Sequence, residues 1–87
     1  MVQNLENGST ILRRRQVQAE TGYARSTIYL RIAQGLWPKP IRLGQQSVGW
    51  PAREVHALNE ARIAGHSDDQ IRALVKQLIH QRQAVPR

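Results

Sequence analysis

Residues 20–35, ETGYARSTIYLRIAQG, contain side chains that can read bases and grip phosphates. Long arginine and glutamine side chains reach guanine and adenine edges in the major groove, and small hydroxyl side chains bond to a base or a phosphate. The free N–H groups at the start of a helix also favour a phosphate. These properties select candidates for DNA contact: Arg25, Ser26, Thr27, Arg31 and Gln34. Tyr29 is added as a secondary phosphate contact, and Leu30 as an apolar side chain for a thymine methyl.

A second group of candidates lies in residues 37–50, WPKPIRLGQQSVGW. A basic hairpin beside a DNA-reading helix can straddle the backbone or enter the minor groove. The candidates in this segment are Lys39, Arg42, Gln45, Gln46 and Ser47. The arginine run at residues 13–15 adds Arg14 and Arg15 as weaker contacts to the phosphate backbone, with a merely solvated basic surface as the alternative.

Two short helices joined by a glycine turn are expected to position the first group. A helix over about residues 15–21 ends at Gly22, where a left-handed residue is needed. A second helix covers about residues 25–34, ends at Gly35 and turns Ile28 toward a core. Its outward side chains are Ser26, Thr27, Leu30, Arg31 and Gln34. This arrangement is typical of a helix-turn-helix, and an ordinary helical hairpin with a polar outer face is the alternative.

The second group is expected on a β-hairpin. Two prolines exclude a helix between Trp37 and Ile41. Residues 41–43 and 48–50 then flank a turn through residues 44–47, which is the pattern of two short antiparallel strands. Such a hairpin would be the wing of a winged helix-turn-helix.

Two further segments are expected next to these elements. Residues 11–13, ILR, are either a short strand or the start of the first helix. A third helix covers about residues 52–64, with Pro51 in its first turn and with Val55 and Leu58 on one face.

Residues 67–70, SDDQ, form a capping box that begins a fourth helix. Apolar side chains then follow at helical spacing: Ile71, Leu74, Val75, Leu78 and Ile79. This stripe can pack back on the domain or pair with a second copy or another protein, and we favour pairing. The expected fold class is mainly α with a small β-hairpin. Residues 1–10 would be a flexible arm, residues 11–65 a winged helix-turn-helix domain, and residues 66–87 an amphipathic helix for packing or dimerisation.

The charge of the chain favours an anionic partner. Thirteen basic residues, eleven of them arginine, stand against six acidic residues and give a net charge of +7. Residues 1–50 hold seven basic and two acidic residues, so the anion-binding face should lie in the first half. The chain has no cysteine, which excludes disulfides and thiolate zinc sites. Its short apolar runs and polar start lead us to expect no membrane contact and a cytoplasmic, nucleoid-associated protein in a bacterium.

Other chemistry finds little support in the sequence. The glycine-spaced segment GQQSVG continues into Trp50 and Pro51, where a phosphate-binding loop requires Lys and Ser or Thr. The three histidines are scattered, and the carboxylates are spread over the chain, so we expect no metal, cofactor, catalytic residue or small-molecule substrate. Trp37 and Trp50 are expected to anchor the hairpin in the core.

Several motifs resemble the AlpA family of phage and prophage regulators over about residues 11–64. The matching positions are Arg25-Ser26-Thr27-Ile28-Tyr29, then Gly35, Pro38-Lys39-Pro40, Leu43-Gly44 and Ser47-Val48-Gly49-Trp50. The resemblance implies a winged helix-turn-helix similar to those of MerR-type regulators and excisionases, and no enzymatic activity. The family usually has serine where this chain has Ala24, and an apolar residue where it has Arg14.

These observations predict a sequence-specific transcriptional regulator that binds double-stranded DNA, and whether it acts as a transcriptional activator or a repressor stays open. The alternatives are an excisionase-like factor that bends DNA for an integrase, and a non-enzymatic adaptor that binds proteins. Further candidate partners are a second copy of the chain on DNA, RNA polymerase and an integrase. For Leu30, contact with a thymine methyl, a dimer contact and a merely tolerated apolar residue all remain open.

Overall fold

The computed structural model describes residues 9–83 and confirms a mainly helical fold with a small antiparallel sheet. The elements in chain order are β1 (Ile11–Leu12), α1 (Arg14–Thr21), α2 (Arg25–Ala33), β2 (Ile41–Arg42), β3 (Val48–Pro51), α3 (Ala52–Ile63) and α4 (Asp68–Arg82). Most of the predicted arm lies outside the described residues. Its last residue, Thr10, is tied to the fold because its carbonyl accepts a hydrogen bond from the amide of Ala52 at 2.8 Å.

The predicted helix-turn-helix is formed by α1 and α2. Gly22 ends α1 with a φ of 77°, and its amide donates to the carbonyl of Gln18 at 2.8 Å. A residue with a side chain is strained in this left-handed conformation, which explains the glycine. Val17 and Ile28 are fully buried in the core, so each of the two short helices is anchored by one large apolar side chain.

The wing is β2, β3 and the turn between them, as the sequence predicts. Arg42 lies opposite Val48 in the antiparallel register, and the amide of Leu43 donates to the carbonyl of Ser47 at 2.8 Å. The sheet also contains a third strand, because β1 pairs with the other edge of β3. The segment ILR, which the sequence left open between strand and helix, is therefore a strand at Ile11–Leu12.

The third helix begins at Ala52, as predicted, but Pro51 lies just before its first turn and not in it. Pro51 is the residue that caps α3, and with a ψ of 133° it is still extended and belongs to β3. The tryptophans anchor the hairpin as expected. Trp50 is fully buried and donates its indole N–H to the carbonyl of Pro38 at 2.8 Å, and Trp37 is 3% exposed.

The apolar stripe of α4 packs back on the domain, which corrects the preference for pairing with a second copy or another protein. Ile71, Val75 and Leu78 are buried in the same cluster as Leu58 of α3. A chain of this size has little apolar surface for a core, so the stripe is needed to complete it. The capping box is confirmed in both directions between Ser67 and Gln70 at the start of the helix.

The start of α2 lacks a side-chain cap. Ala24 caps α2 in an extended conformation, with a φ of −73° and a ψ of 161°, and provides no side-chain hydrogen bond. We expect Ala24→Ser to raise the free energy of unfolding by about 1 kcal/mol, because a serine hydroxyl would accept from a free amide of the first turn. Urea denaturation followed by tryptophan fluorescence measures this change.

The control for this prediction is Ala19→Ser, which places the same hydroxyl at an exposed position inside α1. It should lower stability slightly, because serine has a lower helix propensity than alanine. Equal effects of the two substitutions would show that the start of α2 needs no cap.

Candidate nucleic-acid interface

A cleft of about 420 Å³ lies where the starts of α1 and α2 meet the wing. Its walls are Arg13, Arg14, Arg15, Arg25, Tyr29, Gln46 and Val48. The cleft forms because pairing of β1 with β3 brings the start of α1 beside the wing, and the turn at Gly22 returns α2 to the same side.

Local contacts hold several of these side chains. Arg13 precedes α1, and its Nε donates to the carbonyl of Val48 at 3.0 Å. Arg14 is the first residue of α1, and its Nη1 donates to Oε1 of Gln18, one turn further along the helix, at 2.7 Å. The guanidinium carbon of Arg25 lies 5.9 Å from the centre of the Tyr29 ring, within the range of a cation–π contact.

The cleft is strongly positive. Four guanidinium groups line it, and no carboxylate from residues 9–83 is among its walls. Four acidic side chains pair elsewhere: Glu20 with His56, Glu54 with Arg82, Asp68 with Arg62, and Asp69 with Arg72. Clustered like charges in a concave surface focus the potential, which concentrates anions there.

Five predicted contacts are brought together in the cleft, namely Arg14, Arg15, Arg25, Tyr29 and Gln46. The remaining ones lie outside it. On α2 and its C-terminal cap, Ser26, Leu30 and Gln34 are exposed and Thr27 is half-buried. In and before the wing, Lys39, Arg42 and Gln45 are exposed and Ser47 is half-buried.

Arg31 differs from its expected position on the open face of α2. Its guanidinium lies 5.1 Å from the centre of the Tyr23 ring, and the residue is half-buried. Tyr23 in turn meets Trp37 edge to face at 5.8 Å. The reason is that position 31 lies one turn after the buried Ile28, at the border of the core face, where an aromatic ring attracts a cation.

Two residues of the cleft were not among the named contact candidates. Arg13 belongs to the arginine run at residues 13–15, of which only Arg14 and Arg15 are named as candidates, and nothing in the sequence pattern singles out Val48. The bond to Val48 joins residues that are 35 positions apart, so no local pattern could reveal it.

Comparison with known proteins tests the resemblance. The family model described as "Prophage CP4-57 regulatory protein (AlpA)" matches residues 10–63, more than half of the chain. The chain belongs to the AlpA family. The match runs from the start of β1 through α3 and includes every wall of the cleft, whereas α4 lies beyond it. The AlpA family is a regulatory family and not an enzymatic one. No match was found among curated proteins or among solved structures.

Two further observations concern the part of the chain that the structure describes. Residues 9–83 contain no group of three or more side chains placed to hold a metal ion. Within the same residues, every helix is too short or too polar to cross a membrane.

Proposed function

We propose that this AlpA-family chain is a sequence-specific DNA-binding regulator of prophage type. The observation that carries the proposal is the cleft of four arginines where α1, α2 and the wing meet. A concave cluster of guanidinium groups without a carboxylate wall suits the phosphate backbone of a duplex, since arginine binds phosphate through paired hydrogen bonds. Occupation of the cleft by the backbone would leave the neighbouring faces of α2 and the wing against the grooves.

The proposal divides the contacts between bases and backbone. Side chains assigned to the major groove lie along α2 and at its C-terminal cap: Arg25, Ser26, Thr27, Leu30, Arg31 and Gln34. To reach a base edge, Arg31 would exchange its contact with the Tyr23 ring for the DNA. Side chains assigned to the backbone or the minor groove lie in or before the wing: Lys39, Arg42, Gln45, Gln46 and Ser47. Arg14, Arg15 and Tyr29 add backbone contacts from the cleft. Leu30 is 57% exposed, which suits an apolar contact with a thymine methyl.

A second copy of the chain is the partner that would best explain sequence-specific DNA binding. One short helix with one wing reads few base pairs, so two protomers on repeated half-sites would supply the missing discrimination. The buried stripe of α4 is used within the chain, so such a dimer would form through other surfaces or through the DNA. RNA polymerase or an integrase would be the protein partner through which binding acts.

Binding-site selection from a random duplex pool tests the function. At about 150 mM salt, we expect the wild-type protein to enrich one motif. Thr27→Ala and Arg31→Ala should relax the base preference at positions of that motif, because both residues are assigned to base edges. Arg42→Ala should instead lower the affinity for all sequences alike. Lys76→Ala, at an exposed basic position on α4, is the control and should leave the motif unchanged.

The result separates the alternatives. Retention on DNA without an enriched motif would instead support an architectural factor of the excisionase type. A folded protein that is not retained on any duplex would refute DNA binding and support an adaptor that binds proteins.

A further inference from the structure

We propose that Arg13 is a positioning residue that fixes the wing, and that it makes the position of the wing depend on the anion bound in the arginine cleft. This inference rests on the proposed function, because the contents of the cleft would be a backbone phosphate of DNA. Arg13 lies between β1 and α1 and contacts both the wing strand and the cleft.

The hydrogen-bond pattern of β3 explains why Arg13 is needed. The amide of Leu43 donates to the carbonyl of Ser47, so Leu43 and Ser47 are a hydrogen-bonded pair, and the backbone groups of Ser47 face β2. In an antiparallel ladder the groups of the next residue point the other way, so the carbonyl of Val48 faces the β1 side of the sheet. Pairing with β1 covers only Trp50 and Pro51, and β1 has ended before it reaches Val48.

The side chain of Arg13 replaces the missing strand at that point. Its Nε donates to the Val48 carbonyl at 3.0 Å, the distance of an ordinary ladder hydrogen bond. Val48 is the first residue of β3 after the wing turn, so this bond holds the wing where the wing leaves the sheet. Among the described residues, no other side chain hydrogen bond joins α1 or its cap to the wing.

The same guanidinium also belongs to the cleft. Arg13 lines it together with Arg15, Arg25 and, from the wing turn, Gln46. A guanidinium is a rigid fork, so its Nη groups can bind an anion while Nε keeps its bond to the strand. An anion in the cleft would therefore fix the orientation of the fork, and with it the position of Val48 and the wing.

Lysine tests this role because it keeps the charge but has a single donor head at the end of a flexible stem. Arg13→Lys should lower affinity for the selected duplex about tenfold, the range expected when a hydrogen bond from a charged group is lost. Arg15→Lys is the matched control. Arg15 is a neighbouring arginine of the same cleft with no bond to the wing, so its replacement should lower affinity about twofold or less.

A double-mutant cycle with Gln46→Ala separates positioning from simple charge. If Arg13 places the wing, Gln46→Ala should cost much less affinity in the Arg13→Lys background than in the wild type. In the Arg15→Lys background its cost should equal that in the wild type. Additive costs in both backgrounds would overturn the link between the wing and the cleft.

A measurement without DNA tests the positioning alone. Hydrogen exchange at the amide of Leu43, which bonds to Ser47 in the wing, should be faster in Arg13→Lys than in Arg15→Lys, with equal urea stability of the two variants. Arg13→Gln, which loses both the charge and the fork, should also exchange faster. Unchanged exchange in both Arg13 variants would refute the positioning role. Absence of any DNA binding by the wild type would instead refute the proposed function, and the exchange rates would still decide whether Arg13 holds the wing.

Discussion

Arg82→Ala is expected to lower the free energy of unfolding by about 3–5 kcal/mol, because it leaves the carboxylate of Glu54 buried without a partner charge. Glu54 lies on α3 and is 0% exposed. Its two carboxylate oxygens accept hydrogen bonds from Nε and Nη2 of Arg82 at 2.8 and 2.7 Å. The pair is therefore bidentate, and removing the arginine side chain removes both bonds at once.

Arg82 also connects the end of α4 to the segment that leads into the wing. Its Nη2 donates to the carbonyl of Lys39 at 2.8 Å. One side chain thus joins α3, α4 and the chain just before β2, which are far apart in sequence. This placement shows that α4, although it lies outside the region that defines the AlpA family, is part of the same structural unit.

Urea denaturation followed by tryptophan fluorescence measures this effect, since Trp50 is fully buried in the core. The stability of a small domain is about 5–15 kcal/mol, so the expected loss is a large fraction of the total. The control is Asp69→Asn, whose carboxylate pairs with Arg72 at 3.2 Å but is 96% exposed and should matter far less.

A second variant identifies the cause of the instability. Glu54→Gln combined with Arg82→Ala should recover much of the lost stability, because a neutral amide does not need a counter-charge. An Arg82→Ala variant as stable as Asp69→Asn would contradict the assignment of the buried pair. A double variant as unstable as Arg82→Ala alone would show that the lost contacts of Arg82, and not the unpaired charge, cause the effect.

The second large effect expected is a steep salt dependence of DNA affinity. If about five basic side chains neutralise phosphates, log affinity should fall with log salt at a slope of about −4 to −5. Affinity would then drop about 500-fold between 50 and 200 mM salt. Fluorescence anisotropy with a labelled duplex, repeated over this range, measures the slope directly.

The cleft arginines assigned to the backbone should account for a large part of this slope. Replacement of Arg14 and Arg15 by glutamine should reduce it by about two, because each phosphate contact contributes about one. Lys76→Gln, on the exposed side of α4, should leave it unchanged. A wild-type slope near zero, or an equal reduction by Lys76→Gln, would rule out the cleft as the main contact with the backbone.

The sequence by itself determined those features whose cause is local. A left-handed position selects Gly22, prolines and turn residues define the hairpin, and the capping box starts α4, because each depends on neighbouring residues. The order of the elements could therefore be predicted. The basic first half and the motifs of the AlpA family are properties of the sequence itself. Five of the predicted contact residues also lie together in the cleft.

Only the tertiary structure decided which distant groups meet. Ile11–Leu12 is a strand because β3 offers it an edge some 40 residues later, and the α4 stripe is buried because it faces Leu58 and the rest of the core. Arg31 lies against Tyr23 for the same kind of reason, since a helical wheel places a side chain on a face without showing what that face meets. The bonds from Arg13 to Val48 and from Arg82 to Glu54 span 35 and 28 residues. Such contacts depend on how the elements pack, and packing follows from the whole core and not from any one segment.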